Sequence, residues 1–600
     1  MLLSACFIPA ADLAAQSLHV EQGSAYPDMA SGGAQRYRTA MIAQALQAGE
    51  QRRESSVVAS ALSIIPQPTH AALRSGSFVL SKKASIYHDG TPAAAETAHY
   101  LGEALRPATG FRLRLVRLKH GAFPAGGIIL KQMPRDAELG EEGYRLSVTP
   151  QNVLISAASS AGLVYGVQTL RQLLPTAVFA ASKQTGVEWT VPAVEITDQP
   201  RFAWRGSLLD LGRHYLPFEF LRKYIDLLAL HKMNRLQLHL TDDQGWRLEI
   251  KKYPRLTQIG SFRKESQKKG DRNAGDGTPY GPFFYTQAQM RELVAYAQAR
   301  HVTIVPEIEM PGHFPGALAA HPEFSCTGGP FEVRTRWGVE PNILCAGNDA
   351  AIAFAQDVLS EVIELFPSQF IHIGGDEAPK DRWKKCAKCQ ARIKAEGLKD
   401  EHELQSYFVR RMDKFIASRD RRLIGWDEIL EGGLAPGATV MSWRGIEGGI
   451  AAANAGHDVV MSPTSHCYFD YVQAKGPDEP EHIGAFLPLE TVYSYEPTPA
   501  VLPADKRKHI LGAQGNVWGE YLWTPADVEY FAFPRVAALA EVVWTPAEAK
   551  NCDDFLARLA THVKRLDALK VNYRKLTPQA ASPARPVQRD KRDGRTASVR

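Results

Sequence analysis

From residue 199 onward the chain repeats one pattern eight times: a short apolar run of strand character, followed in most cases by an amphipathic helical stretch. The strand candidates are 206–211, 235–240, 302–309, 370–374, 423–426, 439–443, 459–462 and 510–514, and the helices between them include 219–230, 287–299, 350–365 and 404–418. Strands joined through helices pair in parallel, because a helical crossover returns the chain to the same edge of the sheet. Eight such units over roughly 350 residues predict a (β/α)8 barrel with long loops. In that architecture the residues that close each strand meet at one end of the barrel, so the strand ends are where chemistry is read.

At 600 residues the chain is too long for one ordinary domain. Residues 1–62, rich in Ala, Gln and Ser, read as a leader or flexible extension. Residues 63–198 read as a small α+β domain, with strand runs at 77–80 and 127–131, an Ala-rich helix at 93–105 and a hairpin of 144–149 with 153–156. A helix at 161–174 follows, its apolar stripe formed by Leu163, Val167, Leu170 and Leu174. The barrel occupies 199–548, a C-terminal helical segment 549–575 and a basic disordered tail 576–600.

The formal charge of +5 is concentrated in that tail, where Arg585, Arg589, Lys591, Arg592, Arg595 and Arg600 face only Asp590 and Asp593. The remainder is nearly neutral, and no platform of interleaved basic and aromatic residues points to nucleic acid. No apolar run approaches the roughly 18 to 20 residues of a membrane span. Leu3-Ser4-Ala5-Cys6 resembles a lipoprotein cleavage box but lacks the basic and apolar regions that precede one. The expectation is a bacterial exported protein, periplasmic, outer-membrane-attached or secreted, with Cys6 as a lipid anchor if an upstream signal completes the box. Cys386-x-x-Cys389 is half of a zinc site with no second pair at finger spacing, and Cys326 with Cys345 brackets a Gly/Pro-rich loop that a disulfide could close. No metal and no cofactor are assigned.

All eight strand ends carry functional side chains. They run Asp210-Leu-Gly-Arg213-His214-Tyr215, His239-Leu-Thr-Asp242-Asp243-Gln-Gly-Trp246, Glu307-Ile-Glu309-Met-Pro-Gly-His313, His372-Ile-Gly-Gly-Asp376-Glu377, Trp426-Asp427-Glu428, Trp443-Arg444, Tyr468-Phe-Asp470 and Gln514-Gly-Asn516-Val-Trp518-Gly-Glu520. Five of the ten tryptophans, Trp246, Trp426, Trp443, Trp518 and Trp523, fall there. Broad aromatic faces suit the apolar faces of a pyranose, and carboxylates accept from its hydroxyls, so the ligand expected is a sugar. Neither phosphate-binding glycine motif is present to suggest a nucleotide.

Glycoside hydrolysis usually places two carboxyl groups on opposite sides of the scissile bond. Asp376 and Glu377 are adjacent, and neighbours on a strand point to opposite faces, so both serve one site only where the strand breaks. Gly374-Gly375 supplies such a break. Even so, adjacent residues are poorly placed to span a sugar ring, and another nucleophile is needed. With Arg213-His-Tyr, His239-Leu-Thr-Asp-Asp-Gln-Gly-Trp246, Glu309-Met-Pro-Gly-His313, His372-Ile-Gly-Gly-Asp-Glu377 and Trp518-Gly-Glu520, the chain resembles the β-N-acetylhexosaminidases of glycoside hydrolase family 20 over residues 63–548. That family is substrate-assisted.

The resemblance implies that Glu377 is the acid and then the base, with its pKa raised by partial burial and neighbouring charge. It implies that Asp376 orients the substrate's acetamide as the nucleophile and stabilises the oxazolinium, and that Tyr468 donates to the acetamide oxygen. Arg213, Glu520 and Asp470 would bind sugar hydroxyls, while Trp426, Trp443 and Trp518 would wall in the methyl group and the ring. Asp242 with His313 and Glu309 resembles a relay behind Glu377, although family members commonly carry Asp where Glu309 stands. Arg205 and Asp210 read as structural. The substrates implied are terminal N-acetylglucosamine or N-acetylgalactosamine residues of oligosaccharides or glycans, including chitin oligosaccharides, cleaved exo-wise with retention. The competing readings are an inactive sugar-binding protein on the same scaffold, an endo-chitinase, disfavoured by the lack of a D-x-x-D-x-D-x-E run, and a metal hydrolase using His239, His313 and His372.

Overall fold

Residues 62–119 and 123–576 are described by the computed structural model. The segment through residue 61, including Cys6, and the basic tail beyond residue 576 lie outside them. In the small domain, strands β1 (His70–Val79), β2 (Ser85–His88), β3 (Arg114–Arg117), β4 (Ile128–Gln132), β5 (Tyr144–Val148), β6 (Val153–Ala157) and β7 (Thr190–Asp198) form one sheet. Their order is β1-β7-β5-β6-β4-β2-β3. The β5–β6 hairpin is antiparallel, in register from Tyr144 opposite Ala157 to Val148 opposite Val153. Helices α1 (Pro92–Thr109) and α2 (Ser160–Leu173) pack on this sheet. Each begins on a hydroxyl, Thr91 accepting from the Ala94 N–H and Ser159 from the Gly162 N–H, which satisfies one of the free amides of the first turn. Leu163, Val167, Leu170 and Leu174 are the buried stripe that their spacing predicts.

The barrel strands are β8 (Trp204–Asp210), β9 (Arg235–His239), β10 (Thr303–Glu307), β11 (Phe370–His372), β12 (Arg422–Trp426), β13 (Thr439–Ser442), β14 (Val459–Met461) and β15 (Ile510–Val517). All neighbouring pairs are parallel, and β15 pairs with β8 to close the ring, Gln514 opposite Gly206. This is the (β/α)8 barrel that the alternation predicts. Inward-facing Trp204, Leu208, Val305, Phe370, Ile424, Trp426, Met441 and Val460 form a packed cluster in place of a pore. Among the described residues, no helix is long and apolar enough to cross a membrane.

Buried polar groups fasten the small domain to the barrel. Asp198 at the end of β7 accepts from Lys232 Nζ at 2.8 Å, the Tyr144 hydroxyl at 2.6 Å and Trp544 Nε1 at 2.9 Å. Arg205 on β8 is fully buried and places its fork on Glu142 at 2.8 and 3.0 Å. Paired charges of this kind are costly to break singly, because the surviving partner stays buried and uncompensated. Arg205 therefore joins two domains from the far end of its strand and stands outside the catalytic mouth.

Candidate active site

The fourth barrel strand ends at His372, and the chain then takes an unusual backbone path. Gly374 and Gly375 have φ of 67° and 93°, and Glu377 follows at 40°. The left-handed region is favourable for glycine and strained for glutamate, so the surrounding structure must hold Glu377 there. Gly374 has a second reason to be glycine: a Cβ would collide with the carboxylate of Glu309. This broken strand end turns both Asp376 and Glu377 towards the barrel mouth. Asp376 is tucked in, its side chain 13% exposed, whereas that of Glu377 is 40% exposed.

His313 joins the two. Its Nε2 lies 3.4 Å from Glu377 Oε2 and 3.7 Å from Asp376 Oδ2, and its Nδ1 lies 3.4 Å from Asp243 Oδ1 and 3.5 Å from Asp242 Oδ1. Burial opposes a charge on this imidazole, but Asp242 and Asp243 outweigh burial and hold its pKa well above the ordinary histidine value. The consequence differs from the expectation for Glu377. The hydrogen bond from His313 outweighs partial burial, and the Glu377 carboxyl is held below its usual value rather than above it. Asp376 is shifted the other way, raised by burial and by the charges of Glu307 and Glu377 against the pull of His313.

Glu309 takes a different place from the one its resemblance implies. Among the described residues neither of its carboxylate oxygens has a hydrogen-bond partner, and the group is pressed against Gly374. Burial, then the charges of Asp376 and Glu307, raise its pKa well above the usual range. The carboxylates flanking His313 are Asp242 and Asp243, so Asp243 occupies the third position of the chain behind Glu377. The Glu309 carboxylate lies instead against Gly374.

On the other side of the Asp242 carboxylate, Arg213 is braced by Asp210 at 3.0 Å and Asp242 at 3.0 Å, with Glu520 at 3.8 Å. Asp210 also accepts from the Arg213 and Gly519 backbone N–H groups, which fixes the first and eighth strand ends together. Arg213 lies over the Trp518 ring, 5.2 Å from its centroid. Asp470 is buried, its Oδ1 without a hydrogen-bond partner among the described residues, and burial followed by the Glu520 charge raises its pKa well above the carboxylate range. Glu520 is likewise raised, by burial first.

Aromatic rings form one wall. Trp426 and Trp518 lie 5.6 Å apart, Trp518 and Tyr468 6.4 Å, and Tyr468 stacks with Trp443 at 6.1 Å. Trp426 is pinned through Nε1 to Glu307 at 2.9 Å and Trp443 through Nε1 to Glu428 at 2.9 Å. Two expected tryptophans stand apart from this wall. Trp246 is buried and donates to the Leu248 carbonyl, and Trp523 stacks on His214.

Beneath the wall is a polar layer that reading strand ends one at a time does not reveal. Glu307 accepts from Gln237 Nε2 at 2.8 Å and lies 2.6 Å from His239 Nδ1 and 2.9 Å from His372 Nδ1. His239 Nε2 lies 2.8 Å from Asp242 Oδ2, so both its ring nitrogens face carboxylates. Burial favours neutral Glu307, but His372 and His239 hold its pKa well below the ordinary value. The signal for Glu307 was its i, i+2 relation to Glu309, which places both on the inward face of one strand. Glu428, which faces the mouth beside Trp443, is raised to about 8 by burial and by the Asp376 charge.

Comparison with known proteins identifies the family. Residues 202–547 match the model "Glycosyl hydrolase family 20, catalytic domain" and residues 61–199 match "Glycosyl hydrolase family 20, domain 2". The chain is 48% identical over 513 residues to a β-hexosaminidase of Porphyromonas gingivalis, covering 85% of this chain and 64% of that relative's length. It is 35% identical to a β-hexosaminidase of Akkermansia muciniphila, covering 74% of this chain and 88% of the relative. Among solved structures it is similar to the β-N-acetylhexosaminidase of Streptomyces coelicolor, with a TM-score of 0.74, 33% identity and coverage of 86% and 97%. An exo-β-N-acetylglucosaminidase of Vibrio harveyi in complex with N-acetylglucosamine gives a TM-score of 0.75 at 33% identity, covering 86% of this chain and 78% of that one. With both domains matched and the acidic pair at the mouth of the barrel, the chain belongs to glycosyl hydrolase family 20 and is a glycoside hydrolase of its β-N-acetylhexosaminidase group.

Proposed function

We propose that the protein removes terminal β-linked N-acetylhexosamine residues with retention, using the substrate's own acetamide as nucleophile. The observation that carries this reading is the state of Asp376: Oδ1 is buried and has no hydrogen-bond partner among the described residues, while Oδ2 sits with Glu377 on one imidazole nitrogen. A buried carboxylate oxygen without a donor is strongly disfavoured unless the ligand supplies one, and an acetamide N–H is such a donor. Two carboxylates gathered on one nitrogen also fit poorly with an acid and a nucleophile facing each other across a bond.

In the proposed cycle the acetamide oxygen attacks C1 as Glu377 gives its proton to the leaving oxygen. Asp376 holds the amide N–H and balances the positive oxazolinium, and Tyr468 donates to the attacking oxygen. Water activated by the Glu377 carboxylate then opens the ring at C1 and regenerates the acetamide. A sugar seated over Glu377 strips away its water and raises its pKa, supplying the shift that the exposed carboxyl lacks. Arg213, Glu520 and Asp470 close the far end of the mouth on the hydroxyls of the terminal ring, which favours exo action. Trp426, Trp443 and Trp518 pack on the methyl group and the ring.

The test uses matched aryl glycosides. An aryl N-acetyl-β-glucosaminide should be cleaved with kcat/KM at least about a thousandfold above the aryl β-glucoside lacking the acetamide, the size expected for loss of a preorganised transition-state interaction. Equal cleavage of the two would remove substrate assistance from the account. Binding without release of chromophore from either would instead favour a sugar-binding protein.

A further inference from the structure

Four cysteines that are far apart in sequence meet behind the active site. Cys326 and Cys345 lie in the loop after β10, and Cys386 and Cys389 in the segment after β11. Their sulfurs approach at 3.8 Å for Cys326 to Cys389, 3.6 Å for Cys345 to Cys389 and 3.7 Å for Cys345 to Cys386. All four lie within 4.8 Å of one another. Three of them are buried, and Cys326 is partly exposed.

The spacing distinguishes the possible chemistries. A disulfide brings two sulfurs to about 2.05 Å and would single out one partner for each cysteine. Here Cys345 and Cys389 each have two sulfur neighbours at nearly equal distances. A tetrahedral zinc ion with zinc–sulfur bonds of about 2.3 Å has sulfur–sulfur edges of about 3.8 Å, close to the three separations seen. Gly347 packs so closely that a Cβ would run into the backbone of Lys388 and Cys389. Cys386 and Cys389 straddle the start of the helix Ala387–Glu396, an arrangement in which one turn presents both sulfurs to one point.

We propose that Cys326, Cys345, Cys386 and Cys389 form a structural zinc site that staples the loop of His313 to the loop of Asp376 and Glu377. The connection to the chemistry is short. Leu344, beside Cys345, donates its N–H to the Pro311 carbonyl at 3.0 Å, two residues before His313, and accepts from Trp383 Nε1 of the other loop at 2.9 Å. The ion fixes these loops and takes no part in the reaction, its four ligands leaving no open position. The sequence hid this site because the second pair is split by 18 residues and lies 40 residues before the C-x-x-C.

The test is the metal content of the full chain purified without chelator or added metal. About one zinc per chain is expected, falling to background in Cys345→Ser and Cys389→Ser but unchanged in Cys467→Ser. Should those variants fail to fold, wild-type protein grown with cobalt in place of zinc should show thiolate-to-cobalt charge transfer and tetrahedral d–d absorption. Metal-free protein with four titratable thiols, an intact mass showing disulfides among these cysteines, or iron in place of zinc would each overturn the assignment.

Discussion

Asp376→Asn should lower kcat on an aryl N-acetyl-β-glucosaminide by about 10²- to 10³-fold, a loss of roughly 3 to 4 kcal/mol of transition-state stabilisation, with a much smaller change in KM. The side chain keeps its shape and can still hydrogen-bond, so what is lost is the charge opposite a developing cation. That charge is most valuable where Asp376 sits, largely enclosed with its side chain 13% exposed, because a dry site weakens screening. It is also costly to maintain there, which is why burial raises its pKa, and His313, with His239, opposes the shift. Steady-state rates on one substrate, with a check that melting is unchanged, measure the effect.

Glu377→Gln should cost about 10²- to 10⁴-fold with leaving groups that need a proton, such as a second sugar, and clearly less for the bond-breaking step of a nitrophenyl glycoside. The pH profile gives an independent readout. His313 holds the Glu377 carboxyl below its usual value in the free enzyme, so the protonated acid is lost as pH rises through an acidic value. The alkaline limb of wild-type kcat/KM is therefore expected on the acid side of neutrality, and the limb of kcat higher, since bound sugar raises the same group. Glu377→Gln, which cannot titrate, should lose both limbs. Comparing profiles on a disaccharide substrate separates this from a structural defect, which would scale activity without moving its pH dependence.

The architecture was legible because it follows from periodicity: eight short apolar strands alternating with helices have few other ways to bury their faces. The motif residues were legible because their types are unusual at strand ends. Asp376 and Glu377, Arg213, Asp470 and Glu520, and the wall of Trp426, Trp443 and Trp518 all gather at one mouth. What could not be read was side-chain reach and charge balance. Glu309 lies four residues from His313 in sequence and Asp243 seventy, and only the backbone path decides that Asp243 faces the imidazole while Glu309 lies under Gly374. The direction of the Glu377 shift depends on the hydrogen bond from His313, which stands between it and two carboxylates, a fact of three strand ends together. Trp246 and Trp523 are tryptophans near strand ends like those of the wall but do not share their placement, since a strand end carries outward and inward positions alike. The four cysteines escaped for the same reason, being neighbours only once the third and fourth strand loops fold over each other.

The central claim is that the oxygen attacking C1 belongs to the substrate's acetamide. It is tested most directly by kcat/KM across aryl glucosaminides bearing N-acetyl, N-fluoroacetyl, N-difluoroacetyl and N-trifluoroacetyl groups, whose carbonyl oxygens become progressively poorer nucleophiles at nearly constant size. A steep, monotonic fall along the series is the predicted result. A flat series, with the trifluoroacetyl compound cleaved as fast as the acetyl one, would contradict it.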